Sequence, residues 1–153
     1  VGEEKSYLFG ERVHKIFEVF PPIYDAIYHR ASSLAESQFQ EKKSCERFLA
    51  ILRKIEKSAL RARFSIFPLV GTEVPIITLV DGTPILEAAD LIISSGNHFT
   101  VFDYKTGTPS TETELLFTEQ VSRYTRAVAS ATGTDTKGII WYVERDEWIE
   151  VVS

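Results

Sequence analysis

Three β-rich runs set close together constrain this chain more than any other feature. Glu73–Val80, Pro84–Ile93 and Asn97–Lys105 are dense in β-branched and apolar residues, and only Asp81-Gly82 and Ser94-Ser95-Gly96 separate them. Both separators are hairpin signals, because a tight turn between antiparallel strands needs the positive φ that Gly, Asp and Asn accept more readily than other residues. The runs therefore predict an antiparallel three-strand meander.

The rest of the chain reads as cover for that meander. Val13, Ile16, Phe17 and Phe20 recur at helical spacing until Pro21-Pro22 stops the pattern. A second helix is expected from about Ile23 to Gln40, with Ile27, Ala31, Leu34 and Ala35 along one face. A third is expected from about Ser44 to Arg63, on Phe48, Leu52, Ile55 and Ala59. After the meander a helix from about Thr111 to Thr132 runs up to Gly133, and two short strands, Gly138–Glu144 and Glu147–Val152, close the chain. This order predicts an α/β architecture, a mixed β-sheet flanked by helices. No repeat, linker or low-complexity tract interrupts it, and 153 residues with 44% hydrophobic content suit a single domain, residues 1–153.

Turn geometry then predicts where the acids meet. With Asp81-Gly82 as a two-residue turn, Val80 lies opposite Thr83 and Glu73 falls opposite Asp90. With Ser95-Gly96 as the second turn, Asp90 faces Val101, and Asp103 is its diagonal neighbour on the same face. Alternation puts Lys105 on that face too. Three carboxylates and one ammonium thus gather at one end of one sheet face. Opposed like charges destabilise a strand pair, and a divalent cation removes the objection, since carboxylate oxygens are the donors Mg²⁺ or Mn²⁺ prefers. The plainer alternative is a set of exposed charges on a solvated face. Against it, Ile77, Leu79, Leu86, Ala88, Ile92, Phe99 and Val101 share that face, and the opposite one carries Val74, Ile76, Val80, Ile85, Ala89, Leu91 and Phe102. Both faces are therefore expected to be covered, and an acid at the edge of an apolar face is costly unless paired or metal-bound.

Composition narrows the function. A net charge of −5 argues against gripping DNA through bulk electrostatics, which Lys and Arg usually supply. The single cysteine, Cys45, excludes an internal disulfide framework and a four-cysteine zinc or iron–sulfur site, which makes a reducing cytoplasm the default location. There is no membrane-spanning run and no secretory signal pattern. Methionine is absent and the chain begins Val1-Gly2, which suggests a piece of a longer polypeptide.

Asp90 followed by Asp103-Tyr104-Lys105 resembles the motif that names the PD-(D/E)xK nucleases. Asp-x-Lys alone is weak, with about half a match expected by chance at this length. Its surroundings are more specific. Val101-Phe102-Asp103-Tyr104-Lys105-Thr106-Gly107 is similar to the "DYKTG" strand end of the RecB/AddA nuclease group. Thr72-Glu73-Val74-Pro75-Ile76 resembles its upstream acidic segment, Gln120-Val121-Ser122-Arg123-Tyr124 its QxxxY helix, and Gly10-Glu11-Arg12-Val13-His14 its GxxxH helix. The four matches stand in the family's order along nearly the whole chain. Two places depart from the pattern: Glu87 stands where the family often has glycine, and Leu91 where arginine often follows the acid. The missing cysteine cluster separates the chain from the iron–sulfur branch, which includes AddB and the CRISPR-associated exonucleases.

The resemblance implies a restriction-endonuclease-like core and a Mg²⁺- or Mn²⁺-dependent deoxyribonuclease, exonuclease V-like. It makes His14, Asp90, Asp103 and the backbone carbonyl of Tyr104 metal ligands, and Glu73 a further acid of the site. Lys105 would orient or activate the attacking water, while Gln120 and Tyr124 would position that end of the site and the DNA strand. The implied partners are DNA, as single strands, and an attached helicase, and the implied role is end processing in recombinational repair. Strand delivery by a helicase would also account for an acidic domain. Taken alone, His14 reads first as a core or surface histidine, and Tyr124 equally as packing. His29 and His98 read as structural, and Trp141 and Trp148 as core or edge aromatics. Two alternatives stay open: a docking or DNA-binding module that keeps the fold without the chemistry, and a nuclease acting on RNA.

Overall fold

The computed structural model describes residues 2–152, and the side chains of 7–152. The chain is α/β, with α1 (Gly2–Val19), α2 (Ile27–Gln38), α3 (Lys42–Glu56), α4 (Ala59–Phe64), β1 (Leu69–Val80), β2 (Thr83–Ser94), β3 (Phe99–Lys105), α5 (Thr111–Thr132), β4 (Thr136–Tyr142) and β5 (Glu147–Val151). It divides into two compact units. Of the described residues, one holds 2–66 with 105–107 and 142–146; the other holds 67–104, 108–141 and 147–152. Among the described residues no helix is long and apolar enough to cross a membrane.

In the helical unit, the second helix starts at Ile27, where its apolar stripe begins, rather than at about Ile23, because Pro21-Pro22 and a left-handed Ala26 hold the chain in turns up to that point. The single helix expected from Ser44 to Arg63 is in fact two. Ser58 has extended backbone, and its hydroxyl accepts the Leu60 and Arg61 amides, so it caps α4 and ends the run of α3. An aromatic chain fills the middle, with ring centroids 5.3 Å apart for Phe9 and Phe39, 5.3 Å for Phe39 and Phe48, and 5.8 Å for Phe17 and Phe48.

The sheet has five strands in the order β1-β2-β3-β4-β5, rather than the three-strand meander the β-rich runs alone suggest. β1 and β2, and β2 and β3, pair antiparallel. The α5 crossover between β3 and β4 is the connection parallel neighbours require, and it makes the sheet mixed. Apolar Ile139, Ile140 and Trp141 bury β4 and extend the sheet past β3.

The first hairpin has the expected register. Val80 pairs with Thr83, and the same frame runs back through Val74↔Ala89 and Thr72↔Leu91, leaving Glu73 opposite Asp90. Asp81 (φ +50) and Gly82 (φ +77) form its turn. The second hairpin differs. Ser94 pairs with Phe99 across a four-residue loop closed by the Ser95 N–H donating to the His98 carbonyl at 3.0 Å. Ile92 then faces Val101 and Leu91 faces Phe102, so Asp103, not Val101, falls opposite Asp90. The slip is two residues, so the side each residue faces is unchanged.

Cover on the sheet also differs from expectation. Ile77, Leu79 and Leu86 are exposed, at 69%, 64% and 72%. Ile76, Ala89, Ile92 and Val101 instead form one buried cluster with Tyr124 and Val128 of α5. Under strict alternation Ile76 and Ala89 would lie on the face opposite Ile92 and Val101. The change of side falls at Glu73, whose backbone is left-handed at φ +46. Beyond that residue the even-numbered positions of β1 turn toward α5, and Ile77, Leu79 and Leu86 turn away from it.

Candidate metal and phosphodiester site

Asp90 stands where two strand pairings break off. The β1–β2 ladder skips the step at Glu73 and Asp90, and the β2–β3 ladder ends at Leu91↔Phe102. The next backbone donor on β3, the Tyr104 N–H, is taken by the Asp90 carboxylate at 2.7 Å. Asp90 thus replaces a rung of the sheet with its own side chain. It is 7% exposed, and Asp103 across from it is 5% exposed.

Glu73, Asp90 and Asp103 act together on one neighbour. The Tyr104 phenol is pushed well above its ordinary value, first by burial and then by the charges of Asp90, Glu73 and Asp103 in that order. Its ring meets Trp141 edge-on at 6.4 Å. Tyr124 is raised as well, by burial first, then Asp103, Glu87 and Asp90, against the opposing charge of Arg123. Tyr124 is therefore both a core residue of α5 and a close neighbour of the acids. Gln120 lies one turn earlier on the same helix, half-buried. Two expectations for this helix thus meet in one residue, packing and proximity to the site.

Among the described residues no three His, Cys, Asp or Glu side chains are gathered closely enough to enclose a cation. Asp90 and Asp103 form the pair, and the charge of Glu73 acts on the same phenol. Two carboxylates fit Mg²⁺, which dehydrates reluctantly and is commonly bound by one or two acids with water completing its shell.

His14 and Lys105 belong to the helical unit. His14 Nδ1 lies 2.8 Å from the Gly10 carbonyl. A carbonyl can only accept, so Nδ1 donates to it, the arrangement found in an imidazole that ligates through Nε2. Gly10 has a second use. A Cβ there would stand 3.0 Å from the Thr106 hydroxyl oxygen, so a larger residue at this position would push on the Thr106 side chain in the turn after β3. The GxxxH spacing thereby ties His14 to the residue next to Lys105.

Several residues with clear work here gave no sequence signal of it. Glu144 accepts the Gly107 N–H at 2.7 Å, and Arg47 Nε donates to Glu144 at 2.8 Å with a second bond from Nη2. Burial pushes the Glu144 carboxyl up, but the hydrogen bonds from Arg47 and Gly107 win, and it lies below the usual carboxylate range. Glu87, at the family's glycine place, accepts from Arg123 at 3.0 Å and from the Thr78 hydroxyl at 2.7 Å. That acid fastens the β1–β2 hairpin to α5 beside Tyr124. Of the remaining residues, His98 is bonded to Ser95 at 2.9 Å, and Trp141 is fully buried.

Compared with protein-family models the chain matches none, and no curated protein matches it.

Proposed function

We propose that the chain is a divalent-metal-dependent deoxyribonuclease domain with a restriction-endonuclease-like PD-(D/E)xK core. What carries the reading is the Asp90–Asp103 pair, two acids buried opposite each other where the sheet comes apart. Two like charges buried side by side repel each other, and a divalent cation held between them would relieve that repulsion. In the proposed site Asp90 and Asp103 hold Mg²⁺ or Mn²⁺, and the resemblance adds His14 and the Tyr104 carbonyl. A bound divalent ion would lower the pKa of a water and neutralise the phosphate oxygens. Lys105 places a cation where negative charge builds on the phosphate. Glu73 orients water at the edge of the pair, and Gln120 and Tyr124 seat the strand.

The substrate of this reading is single-stranded DNA delivered by an attached helicase, and the role is end processing in recombinational repair. A net charge of −5 fits a domain that is handed its strand rather than one that captures it. The test combines Mn²⁺ calorimetry with cleavage of single-stranded DNA, comparing wild type with Asp103→Asn. Binding and cleavage that both vanish in the variant are expected. A folded wild type that binds no Mn²⁺ and cuts nothing would sink the assignment.

A non-catalytic docking module is the second reading, favoured by the exposed apolar pair Ile77↔Leu86 on the β1–β2 hairpin. Metal binding that depends on Asp103 would decide against it.

A further inference from the structure

We propose that Glu144, held by Arg47, is a positioning residue for the Lys105 ammonium. The inference rests on the nuclease reading above and names a part of the site that neither the acids nor the motif supplies. A lysine side chain is a flexible four-carbon stem, so where its ammonium can reach depends on how firmly the backbone that bears it is held. Lys105 is the last residue of β3, beyond the β2–β3 pairs, which run as far as Leu91 and Phe102.

Three contacts take over there. The Lys105 carbonyl accepts the Val143 N–H at 3.1 Å. Thr106 packs against Gly10, where an added Cβ would stand 3.0 Å from its hydroxyl oxygen. The Gly107 N–H donates to Glu144 Oε1 at 2.7 Å, and Gly107 has φ +75, a conformation that other residues adopt only under strain. The segment 105–107 is therefore fixed at each of its residues.

Arg47 sets the Glu144 carboxylate itself. Its guanidinium donates to both oxygens of Glu144 and lies 3.9 Å from the centroid of the Phe9 ring. A single exposed ion pair orients little. A planar fork gripping both carboxylate oxygens, stacked on a ring and sharing its acceptor with a backbone amide, leaves the carboxylate one orientation. The pair joins α3 to the segment after β4, 97 residues away in the chain.

A role confined to stability would lower the melting temperature and leave the kinetics of the folded enzyme alone. A positioning role lowers kcat at unchanged KM, because a displacement of about 1 Å at a reacting group can cost roughly a hundredfold. The experiment measures Mg²⁺-dependent cleavage of single-stranded DNA by wild type, Glu144→Ala and Glu144→Gln, with Mn²⁺ calorimetry and thermal melting on each. Glu144→Ala should lose about ten- to a hundredfold in kcat, with the KM for DNA and the Mn²⁺ affinity within about twofold of wild type. Glu144→Gln keeps an oxygen for the Gly107 amide and should recover part of that loss. Undiminished kcat in folded Glu144→Ala, or Glu144→Gln no better than Glu144→Ala, overturns the proposal. If Glu144→Ala does not fold, Arg47→Lys, which keeps the charge and gives up the fork, serves in its place: a fall in kcat at constant KM supports positioning, and unchanged kcat overturns it. A wild type that does not cleave removes the nuclease reading and this role together, whereas cleavage unaffected by the variants removes this role alone.

Discussion

Gly138→Ala tests how closely α5 packs against β4. A Cβ at Gly138 would stand 2.5 Å from Val121 Cγ1, 2.9 Å from Thr125 Cγ2 and 3.3 Å from Val151 Cβ. All three distances are inside van der Waals contact and the two to α5 are below 3.0 Å, where both neighbours are β-branched, with little rotamer freedom in a helix. Neither can swing aside, so the helix and strand must separate. Overpacking of this kind costs about 1–3 kcal/mol. Replacing glycine also removes unfolded-state freedom, which offsets about 0.4–1 kcal/mol. The net loss is about 1–2 kcal/mol, or a fall in Tm of about 2–8 °C for a domain of this size. Differential scanning calorimetry reads it directly. Val121→Ala introduced together with Gly138→Ala should destabilise by less than the two single changes combined, since the deleted methyl groups are the ones in the way. Tyr124 stands between Val121 and Thr125 on α5 and neighbours Asp103, so the separation should also lower cleavage. A variant as stable as wild type, or more so, would refute the close approach and with it the account of how Tyr124 is placed.

Other perturbations have equally definite outcomes. Asp90→Ala strips the acceptor from the buried Tyr104 N–H and should cost about 1–3 kcal/mol in chemical denaturation, whereas Asp90→Asn keeps an oxygen there and should cost less. Asp103→Asn should abolish cleavage without unfolding the domain, with melting followed beside the cleavage assay; cleavage retained in a clean preparation would refute its role. Glu144 has a depressed folded pKa, so its contribution to stability is complete above the unfolded value near 4.5 and is lost as pH falls through the lower folded value. The Tm difference between wild type and Glu144→Gln should accordingly shrink on acidification below about pH 4.5, and a constant difference would refute the assignment. Ile77→Thr and Leu86→Thr, at 69% and 72% exposure, should each change stability by less than about 0.5 kcal/mol; a core-sized loss would mean that this side of the hairpin is covered.

The parts of the fold legible in the sequence are those set by local chemistry. Asp81-Gly82 fixes the first turn because both residues accept positive φ, and the whole β1–β2 frame follows from it. Ser110 and Gly133 bound α5 as cap and stop, and that helix occupies the expected residues. The second turn was harder to read, because Ser94-Ser95-Gly96 is compatible with loops of two or four residues. The four-residue loop moves Asp103 directly opposite Asp90, and an even slip leaves the alternation of β3 against β2 unchanged, so these two acids still fall at the same place in the sheet. Glu73 is different. Nothing about a glutamate in a β-rich run signals a left-handed backbone, and the expected burial of Ile77, Leu79 and Leu86 fails at that residue. The break between α3 and α4 was masked because Ala59 continues the apolar spacing across the cap at Ser58. Arg47 and Glu144 meet across 97 residues, beyond the reach of any local pattern.

The interruption of both ladders at Asp90 also bears on how such a chain can change over time. Inside that point, adding or removing a residue would carry an acid to the wrong side of the sheet. Outside it, from Val74 round the turn to Ala89, the hairpin meets α5 through Ile76 and the Glu87–Arg123 bond, and its other side is open to solvent. Insertions and deletions of matched pairs of residues near Asp81-Gly82 would alter the reach of this arm without resetting the register at Asp90. The hairpin tip is thus the segment free to diverge in length, while the positions from Glu73 back to Leu69 and from Asp90 to Lys105 are held to a fixed count.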